Sequence, residues 1–358
     1  MPLFSDLHTL GQRIWLDNLT RGHIRDGRLA QLIAHGVTGI TSNPTIFHKA
    51  VTETGDYAAQ LDDLRKTEPD PERRYEALAS EDVRAACDLL HPAYAKSGGD
   101  DGYVSLEVAP RFAHDEDATV AEAGRLFALV GRENLLIKVP GTEESLRAFE
   151  RLTAEGVCVN VTLLFSLHHV ARTFEAYIRG AHRWLEGGGD PGRLKAVASL
   201  FLSRVDTLVD KRLEEIGTPE ALALRGRTAI ALARLAYQRY QDFFMGDKYF
   251  SYLRAHRIRP QYLLWASSGT KNPAYSDLLY VEPLIGSDTI NTLPDKTLAA
   301  LADHGRIAPM LQQGAYEAEA HMVELEALGI SPTQAGEELQ AEGVRLFAES
   351  YDKLIAAT

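Results

Sequence analysis

The chain has 358 residues, 45% of them apolar and 25% charged, enough to bury the core of one large α/β domain or two ordinary ones. Its formal net charge of −12 repels nucleic-acid phosphates, so non-specific nucleic-acid binding is excluded. The same charge means that an anionic substrate must be met by a local cluster of cations. No run has the uninterrupted apolar length of a membrane span, and MPLFSDLHTLGQRIW lacks the basic and apolar regions of a signal peptide. Cys87 and Cys158 are too few for a disulfide framework and lack metal-ligand spacing, so the expectation is a cytoplasmic protein with two reduced thiols.

From the N-terminus, eight strand-like runs alternate with helix-patterned segments. The runs are RIWLDNL, GVTGITSN, GYVSLEVA, NLLIKVP, VCVNVTLLF, KAVASLFLS, QYLLWASS and DTINTL. Alternating β and α elements imply parallel strands, and eight of them suggest a closed (β/α)8 barrel. Helices are predicted over 143–156 and 166–187. Two connections are longer than a barrel needs, about 44–100 between strands 2 and 3 and about 205–260 between strands 6 and 7. We read both as extra helices on one barrel domain spanning 1–358, with a helical tail over about 295–358 packing across one end.

The alternation within strands favours a barrel over a doubly wound sheet. Val157, Val159 and Val161 share one face, and Cys158, Asn160 and Thr162 the other. Val104, Leu106 and Val108 oppose Ser105 and Glu107, while Leu135, Ile137 and Val139 oppose Leu136 and Lys138. In a doubly wound sheet those polar residues would be pressed against apolar helices. In a barrel they point inward, and Glu107, Lys138 and Thr162 stand at the C-terminal strand ends where barrel active sites are built.

The chain has ten lysines, most of them in helix-patterned or charged stretches where a solvated face explains them. Lys138 is the one flanked by apolar residues inside a strand. Alone it reads as a strand-end charge, but Glu107, Asn160 and Thr162 are expected to face it. A lysine attacks a carbonyl only when unprotonated. Moving a lysine from its usual value of about 10.4 to about 7–8 takes roughly 4 kcal/mol, which burial in an apolar barrel can supply. The product would be a Schiff base, an electron sink for a neighbouring carbanion, with Glu107 as general acid/base through a water held by Thr162. Asp17, at the end of IWLDN, suits abstraction of a hydroxyl proton, or else caps a turn. Ser199, Arg204, Ser267 and Lys271 end strands 6 and 7 and together make an anion site, where barrels often hold phosphate. Neither H-x-x-x-H nor H-x-H occurs among the twelve histidines, and nucleotide-loop and serine-hydrolase motifs are absent, so no metal and no cofactor are expected.

WLDN, TSNPT, SLEVAPR, LLIKVPGT, NVTLLFS and SLFLSR, in this order and along most of the chain, resemble transaldolase, with ASSGTKN a weaker match. The length resembles the larger bacterial members. The resemblance implies a metal-free Schiff-base mechanism on Lys138 in the pentose phosphate pathway. Asp17 would deprotonate the C4 hydroxyl of a ketose phosphate, sedoheptulose 7-phosphate or fructose 6-phosphate. The retained dihydroxyacetone unit would pass to glyceraldehyde 3-phosphate or erythrose 4-phosphate. Asn43 and Asn160 match positions that hold the intermediate's hydroxyls, and Ser199 and Arg204 match the phosphate site. Around strand 7 the chain departs from the family's A-S-aromatic-Arg, with Lys271 offering a point charge instead of an arginine fork. Ser267 and Ser268 are both open as the contacting hydroxyl.

Fructose-6-phosphate aldolases share barrel and lysine, but a glutamine and a tyrosine tend to stand there where this chain has Glu107 and Phe201. Those two residues favour transfer over cleavage. A non-catalytic barrel that only binds is the third reading, disfavoured because binding needs no Schiff-base lysine. The expected partners are sugar phosphates, with neither nucleic acid nor membrane, for a monomer or homodimer.

Overall fold

The computed structural model describes residues 3–358. Its strands are β1 (Gln12–Asp17), β2 (Val37–Thr41), β3 (Tyr103–Glu107), β4 (Leu135–Pro140), β5 (Val159–Leu164), β6 (Ala196–Phe201), β7 (Tyr262–Ala266) and β8 (Thr289–Leu293). They close in sequence order into a parallel barrel, with β8 returning onto β1. Every predicted strand run overlaps one of them, and only β1 begins outside its run, by one residue. Register sets the chemistry: Glu107 pairs with Lys138, Lys138 with Asn160, and Asp17 with Thr41. Asp17, Thr41, Glu107 and Lys138, from four adjacent strands, therefore reach the C-terminal mouth together.

Two irregularities depart from simple alternation. Trp15 is fully buried and its indole occupies the space beside Gly39, where a Cβ would lie 2.3 Å from the ring; the register of β1 on β2 shifts at this point. A side chain at 39 would expel the indole. At the end of β5, Leu163 adopts φ 59° and the register against β6 jumps between Val161 and Leu164. Leu163 thereby turns to line the mouth instead of continuing the period.

The connection after β2 forms three helices, Pro44–Glu53, Ala58–Thr67 and Pro71–Lys96. The connection after β6 forms Ser203–Ile216, Pro219–Leu222, Thr228–Tyr240 and Ser251–Ala255. Around Phe243, Phe244 and Phe250 the rings pack on the helix Leu167–Glu186, tilted or edge-on to Phe174 and stacked on Tyr177, so this connection is held to the outer layer by aromatic packing. The tail gives Asp295–His304, Ala315–Ala327 and Pro332–Ala357. The last of these lies across the mouth. Gln340 Nε2 donates to Gly141 O and Leu163 O, both at 3.0 Å, and Glu337 meets His169 at 3.0 Å. Gly336 permits the approach, since a Cβ there would lie 2.6 Å from Ser166.

The opposite end of the barrel is shut by charge. Lys195, which immediately precedes β6, is buried; its Nζ is 3.0 Å from Asp100 Oδ1 and 3.9 Å from the centre of the Tyr262 ring. Arg13 pairs with Asp100 and also lies over Tyr262. Lys195 is thus a second lysine held inside the barrel, which its place at the start of a strand run did not distinguish from a solvated edge. Among the described residues no helix is long and apolar enough to cross a membrane.

Candidate active site

At the mouth, a cavity of about 480 Å³ is lined by Asp17, Glu107, Lys138, Thr162, Ser199, Arg204, Ser267, Lys271 and Asn43, among others. Nine of the ten residues singled out from the sequence therefore converge on one space. Lys138 is only 7% exposed. Its Nζ donates to Glu107 Oε2 at 3.2 Å and to Ser42 O at 3.1 Å. Two acceptors leave one tetrahedral position on the nitrogen, on a side chain that lines the cavity. That is the geometry an attacking lone pair requires, with the proton acceptor already in contact.

Burial pushes the Glu107 carboxyl above the usual carboxylate range, and the neighbouring Lys138 charge and hydrogen bond pull the other way. Asp17 behaves alike: burial raises it, while Lys138, the Thr41 hydrogen bond and Lys271 oppose. Thr41 Oγ1 donates to Asp17 Oδ1 at 2.9 Å, so the 2.7 Å contact between Thr41 and Thr292 has Thr292 as donor. This hydroxyl relay fixes the Asp17 carboxylate two strands from Glu107. Two raised carboxyls beside one amine make a site able to take up and return protons.

Asn160 is the exception among the predicted contacts. It is fully buried below the cavity, donating to Ser105 Oγ at 3.1 Å and accepting from Ser199 Oγ at 2.7 Å. Its amide is spent on holding Ser199, which does line the cavity. Asn43 caps the helix Pro44–Glu53 by accepting from Ile46 N at 3.1 Å, leaving its amide nitrogen for the cavity. Of the two serines after β7, Ser267 lines the cavity and contacts Ser203 Oγ at 2.8 Å, with φ 53°; Ser268 is buried and donates to Thr292 O at 2.6 Å.

Arg204 carries a buried Nη1 without a hydrogen-bond partner, and burial lowers its pKa with only Glu342 acting against it. Lys271 and Lys49 line the same cavity, and none of the three cations is in an ion pair among the described residues. Such a cluster on a chain of charge −12 is suited to a phosphate dianion. Lys49, Thr41, Thr292, Phe347 and Ser350 also line the cavity and were not anticipated. Thr41 and Thr292 carried the same signal as Lys138, a polar residue at a strand's C-terminal end. Lys49, Phe347 and Ser350 come from helices, and nothing in a helix period says which distant opening it faces. Among the described residues no group of three or more His, Cys, Asp and Glu converges as a metal site would require.

A family model described as Transaldolase/Fructose-6-phosphate aldolase matches residues 14–358. A transaldolase of Thiobacillus denitrificans is 56% identical over 357 residues, covering 99% of both chains. A transaldolase of Neisseria gonorrhoeae is 44% identical over 356 residues, again 99% of each, and one of Mycobacterium ulcerans is 44% identical over 359 residues, 100% of this chain and 96% of its own.

Proposed function

The chain belongs to the transaldolase/fructose-6-phosphate aldolase family, and from that premise we propose that the barrel mouth transfers a dihydroxyacetone unit between sugar phosphates through a Schiff base on Lys138. The observation that carries the mechanism is the contact of the buried Lys138 amine with Glu107 at 3.2 Å inside a cavity that also presents Asp17 and unpaired cations. Sedoheptulose 7-phosphate or fructose 6-phosphate enters with its phosphate toward Arg204, Ser199, Ser267 and Lys271. Lys138 adds to the ketone carbon. Glu107 supplies the proton with which the carbinol oxygen leaves as water, by way of a water at Thr162. Asp17 then takes the C4 hydroxyl proton, the C3–C4 bond breaks, and its electron pair passes into the iminium as an enamine. The aldose phosphate departs. Asn43 holds the hydroxyls of the retained three-carbon unit, and Asn160 acts through Ser199. Addition to glyceraldehyde 3-phosphate or erythrose 4-phosphate reverses these steps, and hydrolysis frees Lys138. We place the reaction in the cytoplasm, carried by a monomer or homodimer.

Simple cleavage, as in fructose-6-phosphate aldolases, differs only in releasing the three-carbon unit to water. A carboxylate at Glu107 and an apolar Phe201 at the mouth support transfer. Borohydride reduction with fructose 6-phosphate should leave one covalent adduct, on the Lys138 peptide. Free dihydroxyacetone should stay low with or without erythrose 4-phosphate. An adduct on another lysine overturns the mechanism, and rapid dihydroxyacetone release without acceptor overturns transfer.

A further inference from the structure

Outside the barrel, between the helices Thr228–Tyr240 and Ala315–Ala327, lies a second cavity of about 260 Å³ that the mechanism does not use. Arg227, Arg234 and His321 line it, with Ile230, Leu279 and Pro283 supplying apolar wall. Arg234 Nε is buried with no hydrogen-bond partner, and neither arginine is in an ion pair among the described residues. The one carboxylate in the lining is Glu317, which attracts Arg234 without pairing with it. His321 is 2% exposed; its Nε2 meets Thr228 Oγ1 at 2.9 Å, while its Nδ1 is buried and unpartnered. Burial and the nearby Arg227 push this imidazole down to about 4, so it is neutral at pH 7. When Thr228 donates to Nε2, the neutral ring carries its proton on Nδ1.

Two buried donors are therefore left without acceptors around one cavity, Arg234 Nε and, in that tautomer, the Nδ1–H of His321, with the exposed Arg227 guanidinium beside them. At the nearby helix start the Ala229 N–H already donates to Asp206 at 2.7 Å, so it is not among the donors facing the cavity. Buried donors without acceptors are destabilising unless a ligand supplies the acceptor. A single carboxylate ligand offers two oxygens in one plane. A phosphate monoester offers three oxygens around a tetrahedral centre and a charge near −2, which matches two arginines and a third donor. The cavity volume leaves room beyond the phosphoryl group for a small body against Ile230, Leu279 and Pro283.

We propose that this cavity is a second, non-catalytic site for a small phosphate monoester, held by Arg227, Arg234 and the Nδ1–H of His321, bridging two helices outside the barrel. The test titrates inorganic phosphate and phenyl phosphate into the full chain by calorimetry, comparing wild type, R204Q, R227Q/R234Q and the triple variant. Wild type should bind two equivalents. R227Q/R234Q should lose one, with affinity weakened at least about tenfold, and keep its turnover. R204Q should lose the other, and the triple variant both. R227Q alone, at an exposed guanidinium, carries the test if R234Q does not fold. One equivalent in wild type that disappears in R204Q overturns the second site. Two equivalents unaffected by R204Q would count against the role of Arg204 at the mouth while leaving this site standing. Benzoate binding as tightly as phenyl phosphate overturns the phosphate assignment.

Discussion

Two lysines are buried in this barrel, one at each end, and they differ in what surrounds the nitrogen. Lys195 has every direction filled: Asp100 supplies a carbonyl at 2.6 Å and a carboxylate oxygen at 3.0 Å, and the Tyr262 ring covers it at 3.9 Å. Lys138 has Glu107 and Ser42 O on two sides and a cavity of about 480 Å³ before it. Burial pulls Lys195 down to about 8 against the opposing pull of Asp100, so an amine with a depressed pKa exists where no substrate can reach. Protonation state alone therefore does not mark the nucleophile. Access, and a carboxyl able to accept and return a proton, separate the site from the plug.

Exchanging each lysine should separate function from stability. Lys138→Ala is expected to reduce turnover by at least about 10⁴-fold, the scale of removing a covalent nucleophile, while the far-UV spectrum stays that of wild type. Turnover within tenfold of wild type would end the assignment. Lys195→Met should do the reverse, destabilising the fold by about 3 kcal/mol as a buried pair is broken, with kcat within about twofold. The pH dependence gives a second reading of the same residue. Its folded value of about 8 lies below the unfolded value of about 10.4, so between these the unfolded chain binds more protons and stability rises with pH. Denaturant titrations at pH 8 and pH 10 should show that gain in wild type relative to Lys195→Met. A variant equally stable but inactive would mean that the two ends are coupled in function.

The same contrast explains what could be read from the chain. The mouth was legible because a barrel turns a period of two into geometry: a polar residue on the inner face at a strand's C-terminal end must meet its counterparts on the neighbours, as Glu107, Lys138 and Thr162 do. The plug was not, because Lys195 stands at the start of its strand, where a solvated charge gives the same pattern. Parity also failed where the backbone leaves the extended region. Leu163 and Ser267 both have positive φ, so counting residues from the strand places neither, and the choice between Ser267 and Ser268 rested on backbone strain that residue type does not reveal. Asn160 was placed on the correct face and one layer too high: alternation gives the side of a strand, and depth depends on stagger between strands. Phe347 and Ser350 reach the mouth from a helix almost two hundred residues beyond β5, held there by Gln340 and Glu337.

Asp17 gives the smallest effect on stability and the finest distinction between the two ends. The plug joins its carboxylate Asp100 to Lys195 and Arg13, which hold it below the usual range although burial opposes them. At the mouth Asp17 is raised, burial outweighing Lys138 and the Thr41 hydrogen bond. A carboxyl whose folded pKa exceeds its unfolded value of about 3.9 holds its proton more tightly when folded. Its contribution to stability is then fully present below about 3.9 and is lost as pH rises through the folded value, so at neutral pH an ionised Asp17 is a net burden on the fold. Asp17→Asn keeps the acceptor for Thr41 and removes the charge. It should melt higher than wild type at pH 8, by roughly 2 °C for a domain of this size, with the difference vanishing toward pH 3.5. Turnover should fall by about 10²–10⁴-fold through loss of the base. A lower melting temperature for Asp17→Asn at pH 8 would show that Lys138 over-compensates the burial of Asp17, and the mouth would then be held together by charge in the same way as the plug.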